Sequence, residues 1–371
     1  MIPVSEPLVG KDEVELACEA VKTGWISSAG PNIEHFETLV ASYCNRRFGV
    51  AVNNGTSALI LAVRALNLPA GGEVIIPSHT IISCALACVY NNLVPVFVDA
   101  EYDTWNMDVN LLEERVTERT VAVMPVHIFG FPINMAFVMA FAEKYGLKVI
   151  EDFAEAIGSE FGGRRCGSFG DVSCVSFYAN KTITTGEGGM CLTDDENLYE
   201  HLKALRNLAF LPSERFRHEE LGFNFRMTNV QAAIGVGQMR RIEYFVNRRI
   251  EIARTYTELL TPLAEAGKLK LPPPSTEKAK NTFWMYAVTV EDKNLDGRKL
   301  GRALDRLGIQ TRPFFFPLHR QPAFQQYPWF KEQTLPISED IYRKGLYLPS
   351  GMGLSESEIM IVVDALKAVL G

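Results

Sequence analysis

Lys181 is the residue of this chain best placed for covalent chemistry. It stands in Ser176-Phe177-Tyr178-Ala179-Asn180-Lys181-Thr182-Ile183-Thr184-Thr185-Gly186-Glu187-Gly188-Gly189, just past an expected buried strand and ahead of a glycine-rich turn. A lysine that forms a Schiff base needs such a setting, held rigidly and partly desolvated so that its amine can be neutral and nucleophilic. An isolated lysine there would read as a surface residue opening a turn, and its neighbours decide against that. In Val149-Ile150-Glu151-Asp152-Phe153-Ala154-Glu155-Ala156 an acid ends an apolar strand. A carboxylate buried there is costly without a partner. Alone, Asp152 would read as a helix N-cap. With Lys181 downstream, a protonated pyridinium nitrogen is the better partner, because that ion pair keeps an aromatic ring an electron sink.

A third segment, Asn54-Gly55-Thr56-Ser57-Ala58, joins a strand, a tight glycine turn and a helix start with hydroxyls. Backbone N–H groups and the helix dipole there make a cup for a phosphate. It lacks the G-x-x-x-x-G-K-[ST] spacing of a Walker loop. The fourth segment, Gly222-Phe223-Asn224-Phe225-Arg226-Met227-Thr228-Asn229, also reads as a loop capping the next helix, with Thr228 or Asn229 as the cap. Spacing alone leaves that choice open.

The elements that must position these residues follow a rhythm. Strands are expected at 50–52, 73–77, 94–99, 120–126, 148–150, 172–177 and 189–193, with helices at 12–22, 33–43, 57–66, 83–90 and 135–145 between them. Short apolar strands alternating with helices predict an α/β fold with a mostly parallel central sheet covered on both faces. Ligands bind beyond the carboxyl ends of such strands, which is where the three turns lie. After about residue 240 the texture changes. A long basic amphipathic helix is expected at 242–260, a proline-rich break at 271–274, strands at 283–290 and 311–316, and helices at 299–307 and 355–369. This predicts a large α/β domain over residues 1–240, N-terminal segment included, and a smaller α+β domain over 241–371.

With 371 residues, 47% hydrophobic and 22% charged, the composition is that of an ordinary globular protein of two domains. A formal net charge of -7 argues against nucleic acid and anionic membranes as partners. Seven cysteines, none in a C-x-x-C pair, argue against a disulfide framework or a zinc site. The first residues lack a basic and an apolar region, no signal peptide is visible, and no apolar run is long enough to span a bilayer. A cytoplasmic protein is expected.

Together these segments resemble the sugar aminotransferases of the DegT/DnrJ/EryC1/StrS family, of the aspartate aminotransferase (type I) fold. The resemblance runs through nearly the whole chain. It also takes in Gly24-Trp25-Ile26-Ser27-Ser28, Gly72-Glu73-Val74-Ile75-Ile76-Pro77, Pro125-Val126-His127 and Arg312-Pro313-Phe314. It implies pyridoxal 5'-phosphate (PLP) as cofactor and no metal. Lys181 would carry the Schiff base and shuttle the proton. Asp152 would bind the pyridine nitrogen, Glu155 would lie near the ring hydroxyl, and Gly55, Thr56, Ser57 and Ser176 would hold the phosphate. Asn224 would reach the phosphate of a second copy, which requires a homodimer with shared sites. Trp25, Ser28, Arg226, Arg312 and His319 match positions near the sugar-nucleotide pocket. The implied reaction is amination of a nucleotide-linked 4-keto-6-deoxy sugar by L-glutamate, giving 2-oxoglutarate.

The chain also departs from the family. Ile81 stands where an aromatic residue usually stacks on the pyridine ring, and it can pack there without an aromatic quadrupole. His79 replaces an apolar residue, Phe153 a small one, and Leu208-Ala209-Phe210-Leu211-Pro212 a glycine-rich aromatic loop. Beside this reading stand the same transamination of another keto-sugar, dTDP- or UDP-linked or 3-keto, and three readings of other kinds. A sugar 3-dehydratase would carry His where Lys181 stands. A regulator would bind PLP or a sugar nucleotide without turnover. A nicotinamide oxidoreductase would need G-x-G-x-x-G where Asn54-Gly55-Thr56 stands.

Overall fold

Apolar strands with no polar face must be covered on both sides, and the helices between them do the covering. The computed structural model describes residues 1–371 except Pro212 and Asn294. It opens with α1 (Lys11–Lys22) and α2 (Pro31–Tyr43). Then come β1 (Phe48–Val52), α3 (Gly55–Ala65), β2 (Glu73–Pro77), α4 (Ser83–Val89) and β3 (Val94–Val98). β4 (Thr120–Val123), α5 (Met135–Tyr145) and β5 (Lys148–Asp152) follow, with a small hairpin of β6 (Glu160–Phe161) and β7 (Arg164–Arg165). β8 (Val172–Ser176), β9 (Gly189–Thr193) and α6 (Glu196–Arg206) complete the region, before α7 (Asn229–Met239).

Seven of these strands form one sheet in the order β1-β9-β8-β5-β4-β2-β3. Neighbours are parallel except that β9 runs antiparallel to both β1 and β8. An apolar run such as Gly189–Thr193 carries no mark of its direction, so the reversal was not readable from the sequence. β1, β5 and β8 therefore point the same way, and their carboxyl ends deliver Asn54, Asp152 and Ser176 to one edge.

The rest of the chain supplies α8 (Ile242–Glu265), β10 (Leu269–Lys270), β11 (Ala279–Lys280), β12 (Tyr286–Val290) and α9 (Gly297–Arg306). β13 (Arg312–Pro313), α10 (Pro336–Lys344), β14 (Gly345–Leu348) and α11 (Glu356–Leu370) end it. A four-stranded sheet takes the order β10-β12-β14-β13. The strand expected at 311–316 shrinks to Arg312–Pro313. Pro313 cannot donate to a ladder, and the chain beyond it buries Phe314 in an aromatic cluster instead.

The N-terminal segment straddles both regions. Ile2 bridges to Ile309 and packs in the core of the smaller sheet, whereas Val4 joins the core of the larger one. Helix α8 does the same, with Phe245 and Val246 on one side and Ile252, Tyr256 and Leu260 on the other. Among the described residues no helix is long and apolar enough to cross a membrane.

Candidate active site

The strand ends at Asn54, Asp152 and Ser176 open into a cavity of about 870 Å³. Gly55, Thr56, Ser57, Ile81, Asp152, Glu155, Ser176 and Lys181 all line it. Eight residues expected at the cofactor from four separate segments thus meet in one place.

The cup forms because Asn54, not a hydroxyl residue, caps α3: its Oδ1 accepts the Ser57 N–H at 2.8 Å. That leaves the Gly55 and Thr56 N–H groups at the helix start for an anion. A Cβ on Gly55 would lie 2.7 Å from that of Ser176, so only glycine lets α3 press onto the end of β8. The Thr56 hydroxyl is held 2.7 Å from that of Ser83.

Asp152 is buried at the end of β5, and no helix follows it, so it caps nothing. One oxygen accepts the Ala154 N–H at 2.9 Å, and the other only the Cys84 thiol at 3.4 Å. Burial pushes its pKa up, opposed by the Ala154 N–H and by Lys181. Among the described residues no cation lies within ion-pair distance. A buried carboxylate short of a cation fits a protonated pyridine nitrogen, and with the cup and Lys181 it makes a site that fits PLP.

Lys181 lies on the turn after β8, its N–H bonded to the Tyr178 carbonyl. Its Nζ is 3.6 Å from Glu155 Oε1 and 3.8 Å from the centre of the Trp284 indole ring. Burial lowers its pKa, with Glu155 and Asp152 acting the other way. Burial likewise raises the Glu155 carboxyl to about 7, against the pull of Lys181 and of the Phe129 N–H. The lysine is therefore nearer neutrality than a surface lysine, as nucleophilic use requires.

Sequence reasoning missed part of the aromatic lining. Tyr90, Trp284, Phe315 and Tyr347 join Tyr178, Phe223 and Phe225 of the segments already quoted. The Trp284 Nε1–H donates to the Asn180 carbonyl at 2.9 Å, and Arg249, buried, reaches the same oxygen at 3.3 Å and the Ser350 carbonyl at 2.6 Å. Two remote elements thus clamp the residue before Lys181. The one sequence signal was an aromatic-rich stretch, Phe283-Trp284-Met285-Tyr286, before a strand.

The remaining expected residues lie elsewhere. Ile81 is on the cavity wall but 44% exposed. Ser28 and Arg226 line a second cleft of about 290 Å³ with Lys203, Arg206 and Arg215. Asn224 is exposed outside the cavity and accepts from the Arg226 Nε–H. Trp25 is also exposed, and its carbonyl accepts from Asn229. Arg312 is exposed in β13, in register with Tyr347 of the cavity wall. His319 does not line the cavity. It is buried with Ser78 on one ring nitrogen and Glu339 on the other, so both nitrogens have structural partners.

Thr228 is the cap of α7, with Gln231 closing the capping box. His79 is buried in an aromatic cluster, and Phe153 fills the core behind β5. Of the unusual loop, Leu208 and Ala209 adopt left-handed backbone, and Pro212 lies outside the described residues. His127, Glu151 and Cys166 come close enough for a metal. The Glu151 oxygens, however, are already taken by His127 and by the N–H groups of Gly167 and Phe169.

A model of the DegT/DnrJ/EryC1/StrS aminotransferase family matches residues 7–367. A curated relative called GDP-perosamine synthase, from Caulobacter vibrioides, is 39% identical over 370 residues, covering 100% of this chain and 98% of that protein. Another of the same name, from Escherichia coli, is 36% identical over 366 residues, covering 99% and 98%. Among solved structures, DesV of S. venezuelae superposes with a TM-score of 0.88 at 32% identity, covering 96% of this chain and 94% of that one.

Proposed function

Because the chain belongs to the DegT/DnrJ/EryC1/StrS aminotransferase family, whose cofactor is PLP, we propose that it aminates a nucleotide-linked 4-keto-6-deoxy sugar with L-glutamate as donor. The observation that carries the chemistry is the Lys181 amine, desolvated at 3.6 Å from Glu155 in the cavity that also holds the phosphate cup and Asp152. The two relatives called GDP-perosamine synthase support GDP as the carrier and C4 as the aminated carbon.

PLP, when bound, supplies an electron sink through which an amino group and a proton pass between amino acid and ketone. The protein's part is to position and to move protons. The α3 N-terminus, Thr56, Ser57 and Ser176 would hold the phosphate. Asp152 would keep the pyridine nitrogen protonated. Ile81, on the cavity wall, would lie against the cofactor. Lys181 Nζ, on its short tether, takes and returns the proton at the reacting carbon. The aromatic wall excludes water.

A homodimer with shared sites belongs to the same reading. Among the described residues the cavity lining carries one cation, Lys181, against Asp152, Glu155 and Glu187. A cofactor phosphate and a sugar-nucleotide diphosphate would bring several more negative charges there. Phe223 and Phe225 line the cavity while Arg226 lines the second cleft with Arg215, so Arg215, Arg226 and Asn224 of one copy would bring cationic and polar groups to the site of a second. Mixing Lys181→Ala chains with Asn224→Ala chains tests this. Shared sites predict regained activity in the mixed dimer, because one of its two sites is then intact, and no regain rejects them. Seven unbridged cysteines fit a cytoplasmic enzyme.

The decisive assay offers glutamate and a panel of GDP-, dTDP- and UDP-linked 4-keto and 3-keto sugars, following 2-oxoglutarate. Turnover of a GDP-linked 4-keto sugar is expected. Turnover of a 3-keto sugar alone overturns the regiochemistry, and binding without turnover makes the protein a regulator.

A further inference from the structure

Glu155 has one oxygen fixed and one free. Its Oε2 accepts the Phe129 N–H at 2.9 Å, from a residue whose backbone is held at φ 53°. Its Oε1 faces Lys181 Nζ at 3.6 Å. The carboxyl is buried. The indole of Trp284 lies beneath the same Nζ at 3.8 Å and is pinned through its own N–H to the Asn180 carbonyl. The amine is thus held between a carboxyl and an aromatic face, and both favour its charged form.

We propose that Glu155 is the proton partner of Lys181: it takes a proton from the Nζ ammonium when a neutral amine is needed, and returns it when the lysine must act as an acid. The exchange balances by itself. Nζ–H⁺ and the Oε1 carboxylate become a neutral amine and a carboxylic acid, and no other reactant enters. Trp284 is a positioning residue in this scheme, since it sets the height of Nζ beside Oε1. The inference rests on the aminotransferase chemistry and not on which sugar is used.

The electrostatics fit a shared proton. The groups facing Lys181 are Glu155, Asp152 and Arg249, and those facing Glu155 are Lys181 and Asp152. Tyr347, whose phenol is raised by burial first and then by Glu155, stays neutral nearby. Burial brings the amine down and the carboxyl up to about 7, so the two groups approach each other, and their titration belongs to the pair.

The test uses full-length cofactor-free protein. Lysines are reductively methylated with ¹³C-formaldehyde, the Lys181 resonance is assigned with Lys181→Arg, and its shift is followed with pH. Wild type is expected to show two steps, one of them near 7. In Glu155→Gln the step near 7 should vanish and the remaining one move down by about one to three pH units, the effect of losing a close opposite charge. Glu155→Asp, which keeps the charge but withdraws it, should restore the lower step with a smaller separation. In the loaded enzyme the solvent deuterium isotope effect on turnover should change in Glu155→Gln. A Lys181 titration unchanged in both variants overturns the proposal. No sugar enters the titration, so failure of the substrate panel would leave this result standing.

Discussion

One wall of the cavity is built from strand ends: Asn54 to Ser57 after β1, Asp152 to Glu155 after β5, and Ser176 to Lys181 after β8. The facing wall is aromatic and comes from far along the chain, with Trp284, Phe315 and Tyr347 joining Phe223 and Phe225. The first wall carries the charges and donors. The second carries almost none. Burial is the largest cause of the shifts at Lys181, Glu155 and Asp152, and the comparison to test is whether the apolar wall, by excluding water, sets the proton affinities of the groups that the polar wall supplies. If so, changes on the two walls should differ in kind as well as in size.

The largest effect is expected at Lys181. Lys181→Ala should cost at least about a thousandfold in kcat, the scale of losing a covalent residue, while the protein still folds and still binds the cofactor phosphate. Retained turnover in a steady-state assay would break the assignment. Asp152→Asn is next. It keeps the size and removes the charge, and a loss of about a hundredfold in kcat is expected, the scale of removing one partner to developing charge. Cofactor affinity, read by titrating PLP into cofactor-free protein, should fall with it. A large fall in affinity with unchanged kcat would make Asp152 a binding residue only.

Trp284→Leu probes the other wall. It removes the ring beneath Nζ and the N–H bond to Asn180 while keeping the site apolar. The lost cation–π contact is worth about 1–2 kcal/mol, so roughly a tenfold fall in kcat is expected. The diagnostic is the pH profile, which should shift together with the Lys181 titration. A fall in kcat without any shift would mean that the aromatic wall only packs.

The two walls also differ in how readable they were. Lys181, Asp152 and the cup stood out because each places an uncommon residue type at the end of an apolar strand, and a strand end is a local feature. Trp284 and Tyr347 could not be read that way. An aromatic residue before a strand is most often core, and its partner Asn180 lies 104 residues away. His319 is the converse case: a histidine with two side-chain partners looks the same in sequence as one waiting for a ligand. The direction of β9 and the early end of β13 depended on pairing and on Pro313, which local patterning does not encode. Helices α6 (Glu196–Arg206) and α10 (Pro336–Lys344) lay outside the elements expected from the sequence.

Cys84 lies between the readable and the unreadable, and its effect should be the smallest. In the sequence it is one of seven cysteines, none in a C-x-x-C pair. The structure puts its Sγ 3.4 Å from the Asp152 oxygen that has no other partner. Burial raises the thiol well above its usual range, with Asp152 adding to the rise, so it remains S–H and donates at every working pH. Cys84→Ala removes that donor and leaves the oxygen with one neighbour fewer. A net hydrogen bond of about 1 kcal/mol predicts roughly a fivefold loss of PLP affinity. Cys84→Ser, a stronger donor on a shorter reach, should recover most of it. If Ala and Ser behave alike, Cys84 is packing and belongs with the apolar wall; if Ser rescues, the charged wall extends one residue deeper than its strand ends.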